Sequence, residues 1–367
     1  VPKFMVNADG SLGARNDVHC VSIEHKMGIK ASPTAVLQYG DHGGAIGYLV
    51  GEENRGLEYM FIMMNAARYA VGVQGIAVSE RAYQKAVGYA KDRVQSRPVD
   101  GSFTTAAPII HHADVKRMLM TMRAATEGCR AMASVAAAAY DAAHHHPDAE
   151  VRKQNATFYE FLVPLVKGYS TEMSLEVTSL GVQVHGGMGF IEETGAAQYY
   201  RDAKILTIYE GTTAIQANDL VGRKTARDGG TSAKAIAAQI EKTESELKAR
   251  GSANALAVAK RLTAARQAYV DVVDFIAANT RSNPNAAFAG SVPYLMLAGN
   301  LMAGWQLARA LLVAEDLSAK GQDVPFMQAK ITTARFYADH LLSRAPGVRD
   351  AIVEGAEAVT ALPAEAF

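Results

Sequence analysis

Glu210 is the residue of this chain best suited to chemistry. It sits in Ile208-Tyr-Glu-Gly-Thr-Thr-Ala-Ile-Gln216, after an aromatic residue and before a glycine and two threonines. Few acids lie near it in sequence, and neither a Ser/His partner nor a metal-ligand cluster accompanies it. A carboxylate with no paired acid suits the work of a single general base. Without its flanking residues it would read as an ordinary surface acid. Two runs precede it: Gln183-Val-His-Gly-Gly-Met-Gly-Phe190 and Arg201-Asp-Ala-Lys204.

The glycines of the first run carry two readings. A dinucleotide fingerprint needs a strand before it and a helix opening after it. Residues 174–184 read as helix, so that reading fails. What remains is a helix-ending turn that uses positive φ, or a turn where missing side chains let a phosphate or flavin group reach backbone N–H groups. Arg68 interrupts an apolar helical pattern, as a snorkelling or paired cation or as one held near an acyl or carboxylate group. Arg93 ends the same helix, where a cation also complements the helix dipole. His185 reads as structural, although it lies inside the glycine turn. His144-His-His146 cannot all face one metal on a helix and has no companion cluster, so it reads as a solvated helix end. His111 and His112 open a helix at the surface. No metal is expected.

The elements that must carry these residues change character along the chain. Residues 1–50 are β-like: Val1–Val6, Val18–Ile23, Ala35–Tyr39 and Ala45–Val50 are rich in branched and aromatic side chains, with turn residues between them. From Arg55 the spacing becomes helical to Val94, with Met60, Met64, Ala67 and Val71 on one face expected to pack in a core. Further helices are expected over 114–146, over 149–182 with a kink or split at Pro164 and Gly168, and near 195–205. Residues 223–232 read as a polar linker. Beyond them come a helix capped by Ser232 and stopped by Gly251, then helices over 253–280, 291–319 and 325–344.

Composition narrows the class. The 367 residues hold 37 basic and 37 acidic side chains, which gives no electrostatic case for nucleic acid or an anionic membrane. Aromatics make up 7% and alanine is abundant, as in closely packed helices. Two cysteines in separate segments suggest a reducing, cytoplasmic setting. No uninterrupted apolar run is long enough for a membrane span, and no signal peptide is expected. Val1-Pro-Lys-Phe-Met-Val6 reads like the middle of a strand, so a piece of a longer chain is expected.

Taken together, Gln183–Phe190, Arg201–Lys204 and Ile208–Gln216 resemble the C-terminal signature of the acyl-CoA dehydrogenase family. Residues 24–33, residues 67–93 with Arg68 and Arg93, and residues 329–342 support the likeness. The resemblance implies a mainly α fold: a partial β-domain over 1–52, a C-terminal four-helix bundle over 53–224 that carries the base, and an appended α-helical domain over 225–367, as in a larger subgroup. It implies FAD-dependent α,β-dehydrogenation of an acyl-CoA thioester, with Glu210 partly desolvated as catalytic base. By carry-over, Tyr209, Gly211 and Arg68 would shape the acyl site. Arg93, Gln183, Gly186 and Gly187 would touch the flavin of a neighbouring subunit, and Thr212 would lie near the pyrophosphate of its own. Shared flavin sites imply a homodimer or homotetramer, and an electron-transfer flavoprotein would take the electrons. Acyl length stays open, with short or sulfur-bearing chains favoured only by the subgroup. The sequence departs from the family at Ala214, where many members carry Gln or Glu, and at Val94-Gln-Ser96. Both departures bear on the adenine side of the cofactor. The rival readings are a non-catalytic oligomerisation module and a DNA-associated binding protein. The latter needs a basic appended domain, which the mixed signs of 232–367 do not supply.

Overall fold

A computed structural model describes residues Val1–Phe367, which divide into two compact units, Val1–Asn65 and Ala66–Phe367.

In the first unit, β1 (Phe4–Val6) pairs antiparallel with β2 (Leu12–Arg15), and β3 (Val18–Ile23) pairs antiparallel with β4 (Ala35–Tyr39). The second pair runs Val18 opposite Tyr39 to Ile23 opposite Ala35, with an irregularity between Cys20 and Ser22. Residues 45–50, expected as a strand, form none. Ile46 is instead tied to Asn16, whose side chain donates to the Ile46 carbonyl at 2.8 Å and accepts from its N–H at 3.0 Å. A side chain has taken both backbone groups that a neighbouring strand would have paired.

The second unit is helical. α1 (Gly56–Asp92) begins in the first unit and continues into the second. The long helices α2 (Ala113–His145) and α3 (Ala149–His185) follow, packed along one another, and then the short α4 (Ala196–Lys204) and α5 (Thr213–Asp219). Next come α6 (Thr231–Arg250), α7 (Ala253–Asn279), α8 (Pro284–Ala289), α9 (Ser291–Ala319) and α10 (Val324–His340). The short helices α11 (Ala345–Val353) and α12 (Ala356–Val359) end the order. A single core runs through this unit, built largely from alanine and leucine, with α9 packed against α2, α3, α7 and α10. Small residues permit the close approaches: a Cβ on Gly72 of α1 would lie 2.4 Å from the Val166 carbonyl oxygen of α3.

Four expectations need correction. α3 is not split at Pro164, because the proline and its neighbours from Phe161 to Thr171 are all buried, and packing overrides the local preference. Met60 is exposed rather than in the core. Residues 223–232 are not a loose linker: residues 220–225 form one wide helical turn, and Thr225 is buried with its hydroxyl 2.9 Å from that of Tyr294. α6 starts one residue before Ser232, and Asp228 rather than Ser232 anchors its first turn, accepting from the Ser232 N–H at 2.9 Å. Gly251 does stop α6, at φ +71°.

α1 is long and apolar enough, by length and composition alone, to cross a membrane. From Tyr69 onward it packs on its neighbours: Gly72 and Gly75 lie against α3, and the Tyr69 hydroxyl donates to the Ala133 carbonyl of α2 at 2.9 Å. Several polar groups find partners inside the core. The hydroxyls of Tyr169 (α3) and Tyr337 (α10) meet at 2.8 Å across 168 residues of chain, and Trp305 donates to Thr243 Oγ1 at 2.9 Å. Buried Glu244 receives Arg266 Nε at 2.7 Å. The cysteines are unpaired, Cys20 exposed and Cys129 buried.

Candidate active site

Glu210 occupies the bend between the single turn at 205–207 and α5. Its backbone is left-handed at φ +54°, and Gly211 follows at φ +89°. A left-handed conformation is natural for glycine but costs a glutamate roughly 1–2 kcal/mol, so surrounding contacts must hold it. Lys167 of α3, fully buried at 0% exposure, donates to the Gly211 carbonyl at 2.6 Å. The Gln216 amide of α5 lies 3.4 Å from the Glu210 carbonyl and 3.3 Å from that of Gly211. Thr212 caps α5 by accepting from the Ile215 N–H at 3.3 Å, and Thr213 donates to Glu172 at 2.5 Å. Gly211 is favoured by its positive φ, and a Cβ there would also lie 2.7 Å from Gln216 Nε2, so that amide would have to shift.

The bend leaves one donor unused: the Glu210 N–H reaches no backbone acceptor in the chain. Beside it, the Tyr209 hydroxyl donates to Gln74 of α1, and burial raises its pKa. Burial also pulls the Lys167 ammonium down to about 8, against the opposing pull of Glu172 and Glu210 and with the help of Arg68. Arg68 pairs with Asp219 at the end of α5 at 3.8 Å, both side chains being almost wholly buried. Its Nε and Gln216 Oε1 are buried polar atoms without a partner, an arrangement folded chains rarely leave unexplained.

Glu210 itself is exposed, where the expectation was a desolvated base. The reason is the open face around it: Ile208 and Ile215, the apolar neighbours that would dry it, are themselves exposed.

A second group forms where α1 and α3 end. Tyr89, Arg93, Gln95, His185, Gly186 and Gly187 are among the residues lining a cavity of about 350 Å³. His185 is buried, stacks on Tyr89 with ring centroids 4.4 Å apart, and its Nδ1 lies 2.7 Å from the Gly181 carbonyl. Burial lowers its pKa, the Gly181 contact opposing. The ring is therefore a neutral aromatic wall. Gly186, at φ +59°, ends α3 by donating to the Gln183 carbonyl, while the Gln183 side chain is exposed one turn earlier. A Cβ added to Gly186 or Gly187 would meet nothing within 4 Å, whereas one on Gly189 would lie 2.2 Å from the Val182 carbonyl. Gly189 is small because the chain needs the space. Gly187 is small with no such internal reason, as fits a flat group laid over the turn.

The structure thus brings Glu210, Gly211, Tyr209, Thr212 and Arg68 around Lys167 and α5, and sets Arg93, Gly186 and Gly187 about a separate cavity whose lining does not include the exposed Gln183. No hydrogen bond or ion pair joins the two groups. Sequence reasoning missed Lys167, Gln216 and Glu172. The available signal was Lys167 as the lone charge in the apolar run Phe161–Tyr169.

Comparison with known proteins gives the chain's relatives. Residues 54–224 match the family model "Acyl-CoA dehydrogenase, C-terminal domain", and residues 233–363 match "Acetyl-CoA dehydrogenase C-terminal like". The chain is 58% identical to 3-methylmercaptopropionyl-CoA dehydrogenase of Ruegeria pomeroyi, over 93% of this chain and 57% of that protein. It is 37% identical to the broad-specificity linear acyl-CoA dehydrogenase FadE5 of Mycobacterium tuberculosis, over 96% of this chain and 60% of that one. In fold it is similar to an acyl-CoA dehydrogenase of Bacillus anthracis complexed with FAD, with a TM-score of 0.71 at 21% identity, over 99% of this chain and 60% of the other. The chain thus spans under two thirds of the length of these relatives.

Proposed function

The chain belongs to the acyl-CoA dehydrogenase family, and from that premise we propose that the protein it represents is an FAD-dependent dehydrogenase of acyl-CoA thioesters. The observation that carries the reading is the braced left-handed bend at Glu210, with its carboxylate in the open and its N–H unspent.

Glu210 takes the proton from the carbon beside the thioester carbonyl. Negative charge then grows on the thioester oxygen, and the unused Glu210 N–H is placed to donate to it. Bound FAD would supply the acceptor for the hydride that leaves the adjacent carbon, and the electron pair freed by proton removal would then close the double bond of a trans-2-enoyl-CoA. Lys167 and Gln216 keep the bend from relaxing, and Tyr209 and Arg68 wall the acyl side. The exposure of Glu210, Ile208 and Ile215 fits a base that is dried by substrate, cofactor and covering chain together. Arg93, Gln183, Gly186 and Gly187 would receive the flavin nucleotide of a neighbouring subunit, while Thr212 would lie near the pyrophosphate of its own. The protein then works as a homodimer or homotetramer. An electron-transfer flavoprotein is the proposed acceptor, and the two unpaired cysteines fit a cytoplasmic setting. The family matches over 54–224 and 233–363 support a division into a partial β-domain over 1–52, a bundle over 53–224 and appended helices over 225–367.

The test is Glu210→Gln in the whole protein, assayed with a dye acceptor across an acyl-CoA panel. Turnover should fall by about 10² to 10⁴-fold, the usual worth of a general base, while visible flavin absorbance is retained. Near-normal turnover would end the assignment.

A further inference from the structure

The antiparallel pairing of β3 with β4 brings together three side chains with no part in the chemistry above. Asp17 directly precedes β3, His19 lies on it, and His42 follows β4. The register that sets Val18 opposite Tyr39 and His19 opposite Gln38 carries the 40–44 turn back beside residues 16–19. Asp17 Oδ1 lies 3.2 Å from His19 Nε2 and 3.2 Å from His42 Nδ1. The three donor atoms fall within 4.8 Å of one another. The two imidazole rings stand edge to face, 5.2 Å apart.

The second carboxylate oxygen is occupied separately. Asp17 Oδ2 accepts the backbone N–H of His42 at 2.5 Å and that of Gly44 at 3.3 Å. Those bonds fix the carboxylate plane and leave Oδ1 turned toward both rings. The Asp17 side chain is only 10% exposed, whereas those of His19 and His42 are 46% and 74% exposed, so the cluster has a rigid floor and an open mouth.

We propose that Asp17, His19 and His42 form a binding site for a divalent first-row transition metal ion, with Zn²⁺ as its natural probe. Two imidazoles and a carboxylate are a donor set that suits zinc, nickel and copper and is poor for magnesium or calcium. Three protein ligands with the fourth position left to water is a familiar zinc arrangement. Metal–donor bonds of about 2.0–2.1 Å in a tetrahedron set neighbouring donors roughly 3.3 Å apart, which is the spacing that Oδ1 already keeps to each ring nitrogen. The Asp17 backbone contacts supply the outer support that orients a ligating carboxylate. Such an ion would cross-link β3 to the turn after β4 and stiffen a sheet of only two strands.

The test uses the full 367-residue chain, stripped with a chelator and titrated with Zn²⁺ by calorimetry, with Co²⁺ absorption reporting the coordination geometry. One equivalent should bind and raise the melting temperature of the chain. His19→Ala and His42→Ala should each weaken binding at least about 10-fold. Both side chains are exposed, so neither change threatens folding, whereas Asp17→Asn would also disturb the turn. A variant with alanine at 144, 145 and 146 controls for the histidine run at the end of α2 and should bind as the parent does. Absence of binding at micromolar Zn²⁺, binding indifferent to His19→Ala and His42→Ala, or binding lost only in the 144–146 variant would each overturn the site.

Discussion

Two glycine-bearing turns in this molecule solve opposite problems. The bend at Glu210–Gly211 is held from beneath by a buried lysine, by the Gln216 amide and by a capped helix, and every brace is internal. The turn at Gly186–Gly187 is open, with a stacked His185–Tyr89 wall on one side and empty space where side chains would be. One turn stores strain so that a carboxylate stands in a fixed place. The other withholds side chains so that something flat can come close. A pre-positioned catalytic group and a site completed by its ligand therefore look different before any ligand is drawn.

That contrast can be broken most forcefully at Lys167. Replacing it with methionine keeps most of the volume and removes the donor to Gly211, and Glu210 should then drift from its position. Misplacement on the order of 1 Å costs about 10²-fold in rate. We expect turnover of the whole protein to fall by that much with flavin content unchanged. A Lys167→Met enzyme with parental kcat would show that the brace is only structural.

The open turn is sharpened by a paired comparison. Gly189→Ala drives a Cβ into the Val182 carbonyl and should destabilise the chain by about 1–3 kcal/mol, as overpacking does. Gly187→Ala meets nothing and should alter stability by less than about 0.5 kcal/mol, yet weaken FAD retention in the whole protein. Equal effects of the two on denaturant midpoint would erase the distinction.

The smallest expected effect is on pH dependence. Lys167 has a folded-state pKa lowered from 10.5 to about 8. Between those values the unfolded chain binds more protons, so stability contributed at this position rises with pH. The penalty of the buried charge is fully present below about pH 8 and is relieved as pH approaches 10.5. Wild-type stability measured relative to Lys167→Met should climb through that window. A flat difference would mean that the ammonium is not desolvated.

Much of this was legible in the sequence, because helical spacing from Arg55 onward is long and repeated, and the chain indeed forms helices at 56–92, 113–145 and 149–185. The pairing segments Val18–Ile23 and Ala35–Tyr39 were likewise visible as short runs rich in branched and aromatic residues. What failed was what depends on distant partners. Residues 45–50 look like a strand, but Asn16 holds the Ile46 backbone groups from 30 residues away. Pro164 looks like a break, but burial on all sides carries the helix through it. Glu210 stood out only with its neighbours, and the lysine that fixes its bend lies on a different helix, where a single charge in an apolar run was the whole signal. The exposure of the base could not be read at all, since solvent access belongs to the assembled surface and not to the local string.

The hydroxyl contact between Tyr169 and Tyr337 has a consequence for how the helical unit could be divided. The Tyr169 ring also leans on Gly299, where even a methyl would come within 2.3 Å of it. The later helices are thus socketed onto the earlier ones rather than strung after them. A polypeptide ended near Asp228 would bare a wide oily seam and strand a phenol in it, so it should precipitate or melt early instead of behaving as an autonomous half.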